Sequence, residues 1–249
     1  DYIIHLAAIL GVSRVISSPY ETLYQNTNIL NSVIHFAKKC KKLKKFIFLS
    51  TSEVYAGTLR KKEITFPTKE NEKIIIDQEF PKRDSYYLSK IIGEGMVKYS
   101  FKKYVIFRPH NFFGERMGNS HVIPELYNKI KKSKEKKIFL KNSSHFRCFC
   151  YINDAINLMS EVIFSNSIIN NTFNIGDNTE EISILNLAKK INKFCNKEIK
   201  FINLKEKDFS PKRRYPDLSS ILKLNKKFKF ESFDKSLSNT LLWYSNNKN

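Results

Sequence analysis

The chain has 249 residues, 41% of them hydrophobic and 13% aromatic, with a formal net charge of +20. That composition can build a core large enough for one domain, or for a domain with a smaller lobe. No apolar run nears the roughly 18 residues of a membrane-spanning helix. The four cysteines (Cys40, Cys148, Cys150, Cys195) lack the C-x-x-C spacing of a zinc or redox site. With no signal-peptide pattern at the start, they read as reduced thiols of a cytoplasmic protein, and no metal site is expected.

The positive charge admits nucleic acid or another polyanion as a partner. The densest lysine clusters, Lys38 to Lys45 and Lys129 to Lys137, fall late in or just after amphipathic helices. Lysine there suits solvent and the helix C-terminal dipole. A solvated face is therefore the favoured reading over a nucleic-acid site.

Residues 1 to 8 read as a buried strand running into a small-residue turn. Ser18-Pro19-Tyr20-Glu21 combines an N-cap serine, proline at N1 and glutamate at N3, and starts a helix reaching about Lys41. Phe46 to Leu49 is a short apolar run, the mark of a strand buried on both faces. Residues 57 to 84 form a long polar excursion, expected to be part of a substrate lid. A helix follows over about Ser85 to Ser100, with Leu88, Ile91, Ile92 and Met96 as its apolar stripe and Tyr86, Lys90 and Gly93 on the other side. Val105 to Phe107 is the next buried strand, stopped by Arg108-Pro109. Beyond it, helices are expected near 121–133, 153–164, 183–195 and 232–244, and strands near 138, 147, 172–175 and 199–204. Strands alternating with helices predict an α/β fold with a parallel sheet.

Three elements converge on the strand ends, where open parallel sheets place their ligands. They are Thr51, the pair Tyr86-x-x-x-Lys90, and Arg108-Pro109-His110-Asn111. Y-x-x-x-K alone also fits an ordinary exposed helical pair. In order along the chain, however, stand His5-Leu6-Ala7-Ala8, Asn26, Ser50-Thr51-Ser52-Glu53-Val54-Tyr55, Tyr86-x-x-x-Lys90 and Arg108-Pro109-x-Asn111-x-x-Gly114. Val122-Ile123-Pro124, Arg147 before Tyr151-Ile152-Asn153-Asp154-Ala155, Asn174-Ile175-Gly176 and Arg214-x-x-Asp217 continue the series. This series resembles the extended short-chain dehydrogenase/reductase family, in particular its sugar-nucleotide epimerases, dehydratases and decarboxylases.

The resemblance implies a Rossmann-like parallel sheet lacking its first strands over residues 1–115. A smaller mixed α/β substrate lobe would occupy 116–249, with some segments crossing back. It implies catalysis by Thr51, Tyr86 and Lys90, assisted by Ser52 and Glu53. NAD would be held by Leu6, Ala7, Ala8, Asn26, Ser50, Tyr86, Lys90 and Pro109. A nucleotide-sugar would be held by Asn111, His121, Val122, Arg147, Arg214 and Asp217. A homodimer through helices 18–41 and 86–100 is a further implication. Ser52 stands where a 4,6-dehydratase has an aspartate, which argues against water loss. That leaves a C4 epimerase-like reaction, with UDP-glucuronate decarboxylation as the alternative and an inactive, polyanion-binding paralogue as a third reading.

The family's glycine-rich loop and the acidic residue after its second strand are absent from these 249 residues. They would lie upstream of Asp1 in two βα units of about 30 residues each. The chain is therefore read as N-terminally truncated, with NADP left open as the cofactor. Alone it is expected to bind NAD poorly and to fold marginally.

Overall fold

The first sheet is built of four parallel strands in the spatial order β1-β2-β3-β8. They are β1 (Tyr2–His5), β2 (Lys45–Leu49), β3 (Tyr104–Pro109) and β8 (Asn171–Ile175). Phe46, Ile47, Val105 and Ile106 lose all contact with solvent, because β2 and β3 each have a strand on both sides. β1 departs from the buried strand expected of it. It pairs only with β2 in this sheet and leaves Ile4 exposed. The computed structural model describes residues 1–204 and 211–247.

Contacts divide the chain into two units: Asp1–Pro109, Asn157–Ile175 and Asp217–Asn225, and His110–Ile156, Gly176–Pro216 and Lys226–Asn249. In the first, α1 (Val12–Ser17) precedes α2 (Pro19–Lys39). Pro19 opens α2 as the sequence suggests, but the Ser18 side chain makes no cap, and its carbonyl instead receives the Thr22 hydroxyl at 2.9 Å. Leu30, Ile34 and Ala37 of α2 pack with Phe46, Phe48, Ile106 and Val97.

Val97 belongs to α4 (Asp84–Ser100), and here the expected apolar stripe is on the wrong side. Ser89, Lys90, Gly93, Glu94 and Val97 are buried, while Ile92 is 44% exposed. The reason is close approach: a Cβ on Gly93 would meet Phe48 Cζ at 2.6 Å and Leu30 Cδ2 at 3.0 Å. Small and hydrogen-bonding residues therefore fill the interface with α2 and β2, while Leu88 and Ile91 are half-buried, Met96 packs at the edge of the core and Ile92 is left outside.

A further expectation is corrected. Lys45 is not solvated with its neighbours. Its ammonium is buried and donates to the carbonyls of Val162, Ile163 and Ser165 at 2.9, 3.0 and 2.7 Å. These are the orphan carbonyls closing α6 (Ile152–Phe164), where a cation also meets the negative end of the dipole. The polar excursion of residues 57–84 begins within a short helix, α3 (Ala56–Arg60), and is tied down at Thr58, whose hydroxyl donates to Lys73 O at 2.6 Å.

The second unit contains β4 (Phe112–Phe113), α5 (Val122–Lys132), β5 (Lys137–Lys141), β6 (Phe146–Cys148), β7 (Cys150–Tyr151), β9 (Glu181–Ser183), α7 (Ile184–Phe194), β10 (Lys200–Leu204), β11 (Arg213–Arg214) and α9 (Phe233–Asn246). β5 pairs with β10 and β11 with β6, both parallel, while β6 runs antiparallel to β9. Phe113, Ile123, Ile130, Leu187, Ile191 and Leu241 lie at the centre of its apolar core. The remaining helix, α8 (Ser219–Leu222), belongs to the first unit. Among the described residues no helix is long and apolar enough to cross a membrane, and no group of side chains could hold a metal ion.

Gly93→Ala should overpack the α2–α4 contact and cost about 1–3 kcal/mol. Urea unfolding at neutral pH measures this. A stability within a few tenths of the parent would mean that the helices part without strain.

Candidate functional site

β2 ends at Leu49, and the polar run that follows turns at once. Thr51 is extended, and its hydroxyl accepts from Glu53 N at 3.2 Å, capping the single 3-10 turn Ser52–Tyr55. This local cap holds the threonine, itself buried, beside the end of the sheet. α4 approaches from the side and brings Tyr86 and Lys90 to the same place. Lys90 Nζ donates to Leu49 O at 2.7 Å and lies 4.9 Å from the Phe48 ring centroid and 5.9 Å from that of Tyr86.

The electrostatics follow from burial. Loss of solvent lowers the Lys90 pKa to about 8. It also raises the Tyr86 phenol to about 12, with the charge of Glu53 pushing further up and a hydrogen bond with Thr51 drawing back. Glu53 itself lies 3.5 Å from the Arg83 guanidinium. His5, at the end of β1, is stacked on Phe48 at 5.9 Å. Burial, and then the charge of Lys90, lower its pKa to about 4, so it is neutral near pH 7. Lys90 is thus the cation at this strand end.

Other sequence-predicted residues have protein partners. Asn26 accepts from Ile9 N at 2.6 Å and donates to Ile9 O and Ser89 Oγ, both at 3.1 Å. It fastens the segment after β1 to α4. Leu6 and Ala7 are exposed in that segment and Ala8 is half-buried. Ser50 donates to Glu94 Oε1 at 2.6 Å. Pro109 closes β3 opposite Ile175.

Ser50 leads into a buried network that sequence reasoning missed. Glu94 and Arg108 form a two-pronged ion pair at 2.9 and 2.7 Å. Arg108 also donates to Tyr55 OH at 2.7 Å and Glu70 O at 2.8 Å. Tyr55 donates in turn to Asn174 Oδ1 at 3.0 Å. Only the Arg-Pro at 108–109 signalled it in the sequence, since nothing in the local pattern marks Glu94. Asp217 lies in this unit as well, with its carboxylate accepting from Ser219 N at 2.7 Å.

In the second unit the parallel pairing of β11 with β6 sets Arg214 opposite Arg147. Asn111 adopts a left-handed φ of 44° and donates to Cys148 O at 3.0 Å, one residue from Arg147. Two arginines at one register with a fixed amide beside them suit a phosphate-bearing ligand. His121 sits at the N-cap of α5, and Val122 packs against the core.

A model of the NAD dependent epimerase/dehydratase family matches residues 1–176. The chain belongs to this family. Among its epimerase/dehydratase relatives, a dTDP-D-glucose 4,6-dehydratase from Dictyostelium discoideum is 31% identical over 201 residues, covering 77% of this chain and 44% of that protein. A UDP-N-acetyl-alpha-D-glucosaminuronate decarboxylase from Bacillus cytotoxicus is 25% identical over 256 residues, covering 98% of this chain and 76% of that one. The chain therefore spans less than half the length of the first relative and about three quarters of the second. The crystal structure of UDP-glucuronic acid 4-epimerase from Bacillus cereus, in complex with UDP-glucuronic acid and NAD, superimposes with a TM-score of 0.78 at 24% identity. It covers 99% of this chain and 76% of that one.

Two outcomes test this geometry. Glu94→Gln would leave the buried Arg108 charge without its counter-ion, and thermal or urea unfolding should show a loss of about 3–5 kcal/mol. Between pH 8 and 10.5 the unfolded chain holds a proton on Lys90 that the folded chain has released. This residue therefore adds stability as pH rises across that window, and the addition is lost again as pH falls to about 8. Urea unfolding at pH 8 and pH 10 should show a smaller rise for Lys90→Met than for the parent. Equal slopes would mean that Lys90 keeps an ordinary pKa.

Proposed function

We propose that this chain carries the catalytic part of an NAD-dependent enzyme that oxidises a nucleotide-sugar transiently at sugar C4 and returns the 4-epimer. The observation that carries the reading is the meeting of Thr51, Tyr86 and Lys90 at the end of β2.

Tyr86 acts as the base toward the C4 hydroxyl, and Thr51 holds the reacting oxygen beside it. Since a phenol near 12 is a poor base at neutral pH, positive charge must be brought to it. Lys90 supplies one such charge, about half of it present at pH 8. NAD, when bound, supplies the hydride acceptor and a second positive charge.

The open segment Leu6–Ala8, Lys90 and Pro109 fit the nicotinamide half of that cofactor. Asn26 and Ser50 work behind this surface, since their side chains are engaged with Ile9, Ser89 and Glu94. Arg147 and Arg214 are assigned the diphosphate of the nucleotide-sugar, Asn111 and Val122 the sugar end, and Asp217 and His121 the outer contacts. Exposed Tyr20, Tyr24, Phe36, Ile92 and Tyr99 on α2 and α4 support a homodimer through these helices. The apolar side of α4 would be covered there by the second copy.

A decarboxylase is the second reading, favoured by the match along 98% of the chain to a glucosaminuronate decarboxylase and by Glu53 standing next to Ser52 and Thr51. Dehydration is disfavoured because Ser52 offers no carboxyl group to protonate a leaving hydroxyl.

The test uses UDP-glucose, UDP-N-acetylglucosamine and UDP-glucuronate with NAD, read by NMR of the sugar products. A 4-epimer is expected, with turnover reduced at least about 100-fold in Tyr86→Phe. Carbon dioxide released from UDP-glucuronate, and lost in Glu53→Gln, would replace the first reading by the second. Turnover unaffected by Tyr86→Phe would refute both.

A further inference from the structure

The second unit contains a cleft lined by none of the residues assigned above. It has a volume of about 580 Å³ and lies between α7 and the start of β10, within the range of about 300–1,000 Å³ usual for small-molecule sites. Lys189, Lys193, Lys197 and Lys200 line it, and no acidic side chain does. All four lysines are exposed, and among the described residues none is in an ion pair. Lys190, by contrast, is paired with Asp234 at 2.5 Å. The crowding is increased by the parallel register, which sets Lys200 directly opposite Lys137. Like charges opposite each other on adjacent strands are destabilising, so this arrangement costs stability unless an anion relieves it.

Two further features of the cleft narrow the ligand. Ile199 and Phe201 give it an apolar floor, with Ile199 buried and Phe201 packed against the core. Asn192, also in the lining, has its Oδ1 shut off from solvent with no hydrogen-bond partner among the described residues. A buried acceptor left without a donor is destabilising, and an inorganic anion with no N–H or O–H cannot satisfy it. A ligand meeting all three features bears several negative charges, an apolar face and a hydrogen-bonding edge. A nucleobase edge carries both donors and acceptors, so it serves an asparagine amide in either orientation.

We propose that the cleft is a nucleotide-binding site that shares no residue with the Thr51–Tyr86–Lys90 centre. The phosphates lie among Lys189, Lys193, Lys197 and Lys200, and the base lies over Phe201 with its edge on Asn192, whose amide turns toward the cleft as the base binds.

The full chain, isotope-labelled, would be titrated with ATP and with tripolyphosphate while amide resonances are followed by NMR. ATP is expected to shift resonances of residues 185–201 and to bind at least tenfold more tightly than tripolyphosphate. Lys189→Glu/Lys193→Glu changes two exposed side chains and should weaken ATP at least tenfold while the rest of the spectrum stays in place. Asn192→Leu should weaken ATP and leave tripolyphosphate unchanged, whereas Tyr86→Phe should alter neither. Shifts confined to other residues, or unchanged affinity in the lysine double variant, would overturn the site. Equal binding of tripolyphosphate and ATP would overturn the nucleotide and reduce the cleft to a patch of charge.

Discussion

A buried arginine that must be neutralised organises the first unit. Arg108 leaves β3 in a region with almost no solvent, and an isolated charge there would cost several kcal/mol. Glu94 from α4 supplies the counter-charge, and Tyr55 and the carbonyl of Glu70 take further donors. Because those partners come from a helix, a 3-10 turn and the polar excursion, one guanidinium fixes three segments against one strand. Ser50 joins the same carboxylate, so the residue preceding Thr51 is held by the group that neutralises the arginine. The position of the candidate site is in this sense a consequence of satisfying a charge.

The same economy of solvent sets the site's protonation. Burial acts in opposite senses on acids and bases: it keeps Tyr86 protonated, His5 neutral and Lys90 easier to discharge. Of these three titratable groups close to the end of one sheet, only Lys90 thus carries charge near pH 7. An added positive group therefore acts on the phenol with little screening from competing ions.

Much of this was readable from the residues, and the exceptions share one cause. Phe46–Leu49 and Val105–Phe107 announced buried strands because their patterns are local, and the i, i+4 spacing placed Tyr86 and Lys90 on one helix face without any structure. The face that α4 buries was misread, because Ser89, Lys90, Gly93 and Glu94 look like a solvent side. They become an interface only through Phe48, Leu30, Leu49 and Arg108, which stand elsewhere in the chain. Lys45 was misread for the same reason: its three carbonyl partners lie more than a hundred residues away. The pairing of β5 with β10 likewise joins segments whose own periodicity says nothing of each other. Asn26 and Ser50 show a further limit, since a motif marks a position without saying whether its side chain faces outward or holds the scaffold.

The interleaving of the two units has a consequence for how the protein is made. β3 receives its outer neighbour only from Asn171–Ile175, and Asn174 is held by the carbonyls of Thr68 and Asp217. On a ribosome, β3 emerges lacking one partner and with the Lys45 ammonium still without its carbonyls. About 60 further residues must be translated before β8 can cover that edge, and well over a hundred lie between Lys45 and its carbonyls. At about 5–20 residues per second this leaves an unpaired strand edge, of the kind that invites association with other chains, open for roughly 3–13 seconds in every synthesis.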